Sequence, residues 1–542
     1  MNKTIALRQI GLAGEIKDIA NSDIPTQGVR SARSIRIQDQ SLSSFSNASV
    51  FLDDVANETF LFCHPFTRSS GDGWIVVSKV TGSPDTIKVE FVDLTGSKTD
   101  VSPPVSMSTT ATEWQAVQLG SYFIITNNSA VDNPHWTSAA LSQMVDLPGW
   151  PTTYKCNVLS VYKNILVAVG ISKSGGSGEE SRMVKWSHPF ADGDTQTYWD
   201  HTDPTLLAGE TLLAEPGGNL TALQPVRDSL MIYFERRTWK ADFVGGAYVF
   251  EFKKVFEDDG CVGPLSHAIT SDGAVVFGYR DIYVHDGFSK QSISDQKNTR
   301  YLYDTLNLNF KPVAAYYPKR NEVVFLCRSY SSGDGNLFFI ANSIHNYAFT
   351  QVVAELNGNG ILKHIAVGPR PADSSVNYSG LTSETYGDFG DTTYAQMSGA
   401  DETVSLLGVS SYSGVVWNMD YAGATNPVTT FRRDAMIEHR AIDLDEAGEG
   451  ANKIIYLNRI IPQMAGQGVV KFTVGTHATA EGSIDWKASV TYDLDDDTDY
   501  AVDVRAAGRY LAYRIEPNDT SNPALFSLNG LDIEISTPRG RR

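Results

Sequence analysis

The sequence predicts an all-β protein, with a β-propeller of five to seven blades followed by a C-terminal β-sandwich or platform domain. Three observations support this prediction. Short apolar runs are bounded by Asp-Gly or Asn turns, these runs recur at a spacing typical of propeller blades, and longer alternating runs follow after about residue 400.

Residues 258–287 show the local pattern most clearly. Asp272 and Gly273 precede the apolar run at 274–279, and the run at 281–285 leads into Asp286 and Gly287. Asp-Gly beside short apolar runs favours antiparallel hairpins, because glycine accepts the positive φ that tight turns require. The segment therefore predicts two adjacent strands.

The same pattern recurs between residues 50 and 350. Turns that open an apolar run are found at Asn57, Gly120, Asn164, Asp228, Gly273 and Asn321. Three of the five steps between these turns are close to the repeat of roughly 40 to 50 residues that is typical of propeller blades with several strands each. The two longer steps, from Asn57 to Gly120 and from Asn164 to Asp228, predict insertions, such as the polar segment at 174–181. The second run of each unit is expected at 183–188, 238–243, 281–285 and 336–342.

Two helices are predicted. The first spans residues 294–307, with Ser294 as its N-cap and Tyr301, Leu302 and Leu306 on one face. The second spans residues 138–145 and is stopped by the Pro-Gly pair at 148–149.

The domain boundaries follow from these differences in the spacing and length of the apolar runs. We predict an N-terminal interface or platform segment at 1–50, a propeller at 51–360, connecting loops and strands at 361–427, and a β-sandwich at 428–542. The Ser-, Thr- and Gly-rich stretch at 371–400 is expected to be a loop or interdomain passage.

The chain has 542 residues and a formal charge of −19. Residues 1–50 carry +2, residues 51–400 carry −13, and the remainder carries −8. No basic patch favours tight nucleic-acid binding, and no run of 18 apolar residues predicts a membrane span. The start of the chain does not resemble a secretory signal. The four cysteines, at 63, 156, 261 and 327, are predicted to be buried reduced thiols.

No catalytic, cofactor-binding or metal-binding residue stands out, and we predict that the chain is not an enzyme. The acidic run of Asp493, Asp495, Asp496, Asp497 and Asp499 has the wrong spacing for an EF-hand and is interpreted as a solvated turn, with calcium binding as the alternative. Residues 192–199 resemble a sialidase Asp-box only in part. The histidines at 188, 201, 267 and 285 are predicted to be surface or capping residues.

Several segments resemble the tail nozzle family of short-tailed bacteriophages, also called the tail tubular protein B family. They are residues 181–200 (SRMVKWSHPFADGDTQTYWD), 258–287, 314–352, and the closing strands that contain GRYLAYRIEP and LNGLDIEISTPRGRR. The chain departs from this family at Phe349 and Thr350, where Trp is common.

The resemblance implies a virion protein of the phage tail, assembled in the host cytoplasm. It implies a hexameric ring below the portal and adaptor, in contact with the adaptor protein and with tail fibre or spike proteins. Genomic DNA would pass through the ring without specific binding. An acidic bore would agree with this role, because a wall that neutralises no phosphate binds DNA weakly.

Two alternatives stay open at this point. One is a secreted or virion-bound carbohydrate-active β-propeller with a sugar-binding sandwich. The other is a receptor-binding tail component, in which Trp486, Tyr492 and Tyr500 would be exposed, whereas core or turn packing is the simpler expectation for these rings.

Overall fold

The computed structural model describes most of the chain. The described residues are 2–38, 41–45, 47–52, 57–191, 193–213, 218–246, 248–330, 336–342, 347–354, 362–371, 404–410, 415–421, 435–443, 454–496, 498–519 and 524–536. Within these ranges the regular secondary structure is almost entirely β-strand, which confirms the prediction of an all-β protein. None of the helices in these ranges has the length and apolar character needed to cross a membrane.

The N-terminal part of the chain, up to Leu52, contributes strands that pair mainly with strands from much later in the chain. They are β1 (Asn2–Arg8), β2 (Gly14–Glu15), β3 (Gly28–Val29), β4 (Ser31–Arg33), β5 (Ile35–Gln38), β6 (Ser41–Ser44) and β7 (Asn47–Leu52).

The next twenty strands form five four-stranded antiparallel sheets in chain order. Unit 1 contains β8 (Glu58–Phe66), β9 (Gly73–Val80), β10 (Thr86–Asp93) and β11 (Lys98–Asp100). Unit 2 contains β12 (Trp114–Leu119), β13 (Tyr122–Asn127), β14 (His135–Ser138) and β15 (Val145–Asp146). Unit 3 contains β16 (Tyr154–Tyr162), β17 (Ile165–Lys173), β18 (Met183–Trp186) and β19 (Gly209–Leu212). Unit 4 contains β20 (Leu220–Val226), β21 (Ser229–Phe234), β22 (Thr238–Phe243) and β23 (Phe250–Phe256). Unit 5 contains β24 (His267–Ile269), β25 (Ala274–Phe277), β26 (Ile282–His285) and β27 (Lys290–Ser292).

Two more units follow a short helix, α1 (Thr299–Thr305). Unit 6 contains β28 (Val313–Tyr317), β29 (Glu322–Arg328), β30 (Asn336–Asn342) and β31 (Ala348–Ala354). Unit 7 contains β32 (Leu362–Pro369), β33 (Val404–Ser410) and β34 (Val416–Tyr421), and its fourth strand is β7 from the N-terminal part of the chain. Short 3₁₀ turns occur at Asn21–Asp23, Glu179–Arg182 and Pro318–Arg320.

Each unit shares an apolar core with the next one, and unit 7 shares a core with unit 1. The central strands explain this packing, since β17, β21 and β25 are rich in Val, Ile, Leu and Phe and are buried along most of their length. Between units 7 and 1, β32 lies against β8, and the Trp74 indole donates a hydrogen bond of 3.0 Å to the Pro369 carbonyl.

The remaining strands are β35 (Met436–Asp443), β36 (Ile455–Gln467), β37 (Val469–His477), β38 (Asp485–Trp486), β39 (Val490–Asp493), β40 (Val502–Gly508), β41 (Tyr510–Pro517) and β42 (Leu525–Ser536). One sheet has the order β40-β36-β42-β6-β5, with β1 on β42. The second sheet includes β4, β35, β41, β37, β38 and β39. Both sheets contribute to one core that contains Ile35, Leu42, Phe472, Leu511 and Ile533. We call these two sheets the terminal module.

Most of the repeated apolar runs predicted from sequence are strands, and the structure shows which strand of its unit each run forms. The runs after Gly120, Asn164, Asp228, Gly273 and Asn321 are the second strands of units 2 to 6, whereas the run after Asn57 is the first strand of unit 1. The step from Asn57 to Gly120 is therefore long because it runs from the first strand of unit 1 to the second strand of unit 2, not because residues are inserted. The predicted partner runs at 183–188, 238–243, 281–285 and 336–342 contain the third strands.

The turn chemistry also agrees with the prediction. Asn164 and Asn321 adopt left-handed φ values of 61° and 51°. Gly273 has a φ of 143°, and a Cβ added there would lie 2.2 Å from the His285 carbonyl oxygen, so glycine is required.

Both helix predictions need correction. Residues 138–145 form a turn between β14 and β15, because Leu141 has a φ of 57° and the Ser138 hydroxyl accepts a hydrogen bond from the Ala140 amide. The helix expected at 294–307 is only Thr299–Thr305. Ser294 does not cap it: its hydroxyl donates to Asp281 at 2.5 Å and helps close the preceding turn.

The predicted boundaries at 50, 360 and 427 stay predictions. β7 extends across residue 50. Residues 372–400, most of the predicted interdomain passage, lie outside the described residues.

Candidate functional site

The contact between unit 6 and the terminal module, which we call the joint, combines a continuous sheet with buried ionised groups. Its backbone is one continuous ten-stranded sheet, in which β4 lies between β31 of unit 6 and β35 of the terminal module. The Ser34 amide donates to the Gln351 carbonyl at 2.6 Å, and Met436 pairs with Arg33. The sheet therefore connects the repeated units directly to the terminal module.

A buried ion pair lies beside this sheet. Arg36 on β5 and Glu322 on β29 are 3.0 Å apart, and their side chains are 2% and 0% exposed. The Arg36 guanidinium also lies 4.8 Å from the centre of the Phe45 ring. Removing two charges from water is expensive, and the close contact of the opposite charges offsets part of that cost. The pair therefore holds β5 and β29 in one relative position.

A third connection joins the N-terminal segment to α1. The Asp18 carboxylate accepts hydrogen bonds from the amides of Arg300 at 2.6 Å and Tyr301 at 2.9 Å. Asn298, which precedes the helix, donates to the Glu15 carbonyl and accepts from the Lys17 amide. A residue from the distant N-terminal segment thus performs the N-capping that the sequence assigned to Ser294.

On the terminal-module side, Glu438 organises two arginines. Its carboxylate is buried and accepts from Arg440 Nε at 2.5 Å and from Arg514 Nε at 2.7 Å. Arg514 also lies 4.8 Å from the centre of the Trp486 ring. One buried carboxylate therefore fixes two guanidinium groups at the surface of β35 and β41.

The acidic run lies in the turn between β39 and β40. Asp493 accepts from the Asp495 amide, Asp496 from the Thr498 amide and hydroxyl, and Asp499 from the Asp493 amide. These hydrogen bonds lower the pKa of Asp496. Asp497 lies outside the described residues. Among the residues that are described, no group of three or more His, Cys, Asp or Glu side chains could hold a metal ion.

His285 is buried rather than at the surface, but its Nδ1 accepts a hydrogen bond of 3.1 Å from the Gly287 amide, so the capping part of the prediction holds for it. This residue is 2% exposed, its Nε2 lies 2.7 Å from the Tyr233 hydroxyl, and burial lowers its pKa to about 4. Burial likewise lowers the pKa of His267 to about 4. His201 is exposed, and His188 accepts a hydrogen bond from the Leu207 amide.

The aromatic candidates differ in exposure. Tyr492 is buried in the core of the terminal module, and Trp486 packs on Arg514. Tyr500 is 62% exposed, so the expectation of core or turn packing is wrong for this ring. In the segment at 192–199, Trp199 is buried against Trp150 with ring centres 4.7 Å apart, which is a packing role, while Asp192 lies outside the described residues.

The cysteine prediction is confirmed. All four thiols are free and buried. Burial raises the pKa of Cys156 and of Cys261 to about 12, so both thiols stay protonated at neutral pH.

One carboxyl group with an unusual environment was missed. Glu113 directly precedes β12 and is half-buried; burial raises its pKa, and the charge of Lys311, just before β28, opposes that shift. The two residues belong to different units and lie far apart in the chain, so no local pattern could have related them. A carboxyl with a raised pKa can act as a proton donor.

The chain matches no protein-family model and no curated protein. It is similar to a solved exo-β-1,3-galactanase from Phanerochaete chrysosporium at 10% identity, over 80% of this chain and 97% of that chain, with a TM-score of 0.22. It is also similar to Citrobacter koseri AztD at 10% identity, over 54% of this chain and 73% of that chain, with a TM-score of 0.30. The AfRom2 CNH domain shares 11% identity over 57% of this chain and 98% of that chain, with a TM-score of 0.29.

The prediction that the chain is not an enzyme is corrected by this comparison. Galactanases are enzymes, and they are among the solved structures to which the chain is similar.

Proposed function

We propose that the chain is a structural subunit of the tail nozzle of a short-tailed bacteriophage. In this proposal the seven units are the blades of a propeller and the terminal module is a β-sandwich platform. Copies of the chain form a hexameric ring in the virion tail, which contacts the adaptor and the fibre or spike proteins.

The joint is the observation that carries the proposal. A subunit that surrounds a passing genome has to keep its shape under load, and the joint connects unit 6 to the terminal module through a continuous sheet and a buried ion pair. A flexible linker would instead leave two domains free to move relative to one another.

The charge of the chain supports the same role. Six copies at −19 each would carry −114 formal charges. Acidic walls bind DNA weakly, because they neutralise no phosphates and release no counterions. DNA would then pass through the ring without being held.

Mass photometry of the purified chain, alone and mixed with the adaptor protein of the same phage, tests the proposal. We expect particles of six copies, seen as closed rings by negative-stain electron microscopy. Particles of a single copy under both conditions, at micromolar concentration, would contradict the proposal.

Glu113 favours a second candidate, a carbohydrate-active protein. A glycosidase needs a carboxyl group that stays protonated near neutral pH, and burial shifts the pKa of Glu113 in that direction. Release of reducing sugar from bacterial polysaccharides or galactans by the wild-type chain, and its loss in Glu113→Gln, would support this candidate. Equal release of reducing sugar by the wild type and the variant would show that Glu113 is not the acid of this candidate activity.

A further inference from the structure

Two adjoining cavities lie beside the joint. The larger has a volume of about 660 Å³ and the smaller about 360 Å³, and Arg30 and Arg440 line both. Arg514 lines the larger cavity, and Trp486 lines the smaller one. The cavities lie between the N-terminal segment with α1 on one side and the strands β35 and β41 on the other.

The three arginines are held from one side only. Arg440 uses its Nε to bind Glu438, Arg514 uses Nε and one terminal nitrogen for the same carboxylate, and Arg30 donates from one terminal nitrogen to the Ile19 carbonyl. Within the described part of the chain, their other N–H groups have no acceptor. A guanidinium carries five donors in a fixed plane, so each group keeps unused donors.

The acidic residues at the cavities are already engaged. Asp18 accepts two amides of α1, and Glu481 accepts from the Asn21 amide at 2.5 Å and its side-chain amide at 2.8 Å. Glu438 is bound by Arg440 and Arg514. The lining of the two cavities carries a formal charge of +1, from the five cations Lys17, Arg30, Arg300, Arg440 and Arg514 against the four carboxylates Asp18, Asp304, Glu438 and Glu481. Asp304 is exposed and lies 3.6 Å from Arg300. The hydrogen-bonding groups that the three arginines leave unused at the site are therefore donors.

We propose that these cavities form an oxyanion-binding site, in which Arg30, Arg440 and Arg514 bind a ligand that presents several acceptor oxygens. Guanidinium groups pair with carboxylates and phosphates through two parallel hydrogen bonds, which fits fixed arginines with free edges. The shared chemistry is the oxyanion itself, whether it comes from a phosphate group or from the carboxylates of an acidic protein segment. Trp486 completes the wall next to Arg514. This site is independent of the ring assembly proposed above.

Isothermal titration calorimetry at low ionic strength tests the site with three probes. They are inorganic phosphate, a tetra-aspartate peptide, and a tetra-asparagine peptide as the neutral control. We expect saturable binding of at least one of the two anions and none of the neutral peptide. Arg30→Gln and Arg440→Gln should each weaken binding about 10-fold or more, because each removes a charge-assisted pair. The matched control is Arg505→Gln, which removes an exposed arginine of the other sheet.

Arg30→Gln keeps the test decisive if Arg440→Gln fails to fold, since Arg30 does not bind the Glu438 side chain. Binding of phosphate alone would identify a phosphate group as the source of the oxyanion, and tighter binding of the acidic peptide would identify protein carboxylates. The proposal is overturned if neither anion binds the wild type at millimolar concentration, or if Arg505→Gln weakens binding as much as Arg30→Gln does.

Discussion

Neighbouring units and the joint are held together by different kinds of contact. Units 1 to 7 meet through apolar cores of Val, Ile, Leu, Phe and Trp. The joint contains ionised and polar groups at its centre: Arg36 with Glu322, Asp18 on α1, and Glu438 with its two arginines.

The difference has a physical consequence. Apolar contact is non-directional, so a repeated core accepts many side-chain combinations. A buried ion pair requires both partners in one geometry, and it adds little net stability while strongly penalising the loss of one partner. The joint is therefore expected to depend on single residues far more than the contacts between units do.

The largest effect is expected for Arg36→Ala. This change removes the guanidinium that lies 3.0 Å from the buried Glu322 carboxylate, which should lower the free energy of unfolding by about 3–5 kcal/mol in urea denaturation. The double variant Arg36→Met with Glu322→Leu is the control, and it should recover most of the loss. A loss below about 1 kcal/mol in the single variant would mean that the joint does not depend on this pair.

A smaller effect is expected from the buried imidazole of His285. Burial lowers its pKa to about 4, below the unfolded value of about 6.5. Its neutral form is favoured in the folded state, so stability is complete above pH 6.5 and is lost as the pH falls from about 6.5 towards 4. Between pH 7 and pH 5 this group should account for a loss of about 2 kcal/mol in the free energy of unfolding.

His285→Gln should remove that part of the pH dependence, measured as the difference in unfolding free energy between the two pH values. His201→Gln, at an exposed position, should leave the dependence unchanged. Identical pH profiles for the wild type and His285→Gln would show that His285 does not stay neutral in the fold.

A still smaller effect is expected for Asp18→Ala. Loss of the carboxylate removes both acceptors at the start of α1 and should cost about 1 kcal/mol. Hydrogen exchange at the amides of Arg300 and Tyr301 should speed up at the same time. Asp23→Ala, an exposed change in the same segment, is the control; equal effects of the two variants would argue against capping by Asp18.

The smallest effect is expected for an exposed pair within unit 4. Lys253 and Glu251 are 2.8 Å apart, and both side chains are 51% exposed. Water and salt screen such pairs, so Lys253→Ala should not shift the urea midpoint measurably. A clear shift would contradict the expectation that exposed ion pairs contribute less to the free energy of unfolding than the buried pair of the joint does.

The sequence predicted the units better than the joint, for reasons visible in particular residues. Asn164, Gly273 and Asn321 are local turn signals, and each directly precedes the apolar strand that it opens. Asp18 and α1, or Arg36 and Glu322, come from opposite ends of the repeated units, and nothing in their sequence neighbours predicts that they meet. Glu438 and Arg514 both lie in the terminal module but are 76 residues apart, and nothing in their sequence neighbours predicts their contact.

The errors have equally local causes. The run after Asn57 is the first strand of its unit, whereas the other repeated runs are second strands. The pattern does not separate the two positions, because the first and second strands of unit 1 are both apolar. The helix at 138–145 was predicted from its composition, whereas Leu141 in the left-handed region ends any helix there. The raised pKa of Glu113 depends on its burial between units, which its sequence neighbours do not reveal.

We propose that the repeated units and the terminal module fold as one body through the joint. Differential scanning calorimetry of the wild-type chain and of Arg36→Ala tests it most directly. We predict one transition for the wild type, with a calorimetric enthalpy equal to the van't Hoff enthalpy, and two separated transitions for the variant. Two transitions in the wild-type chain would contradict the claim.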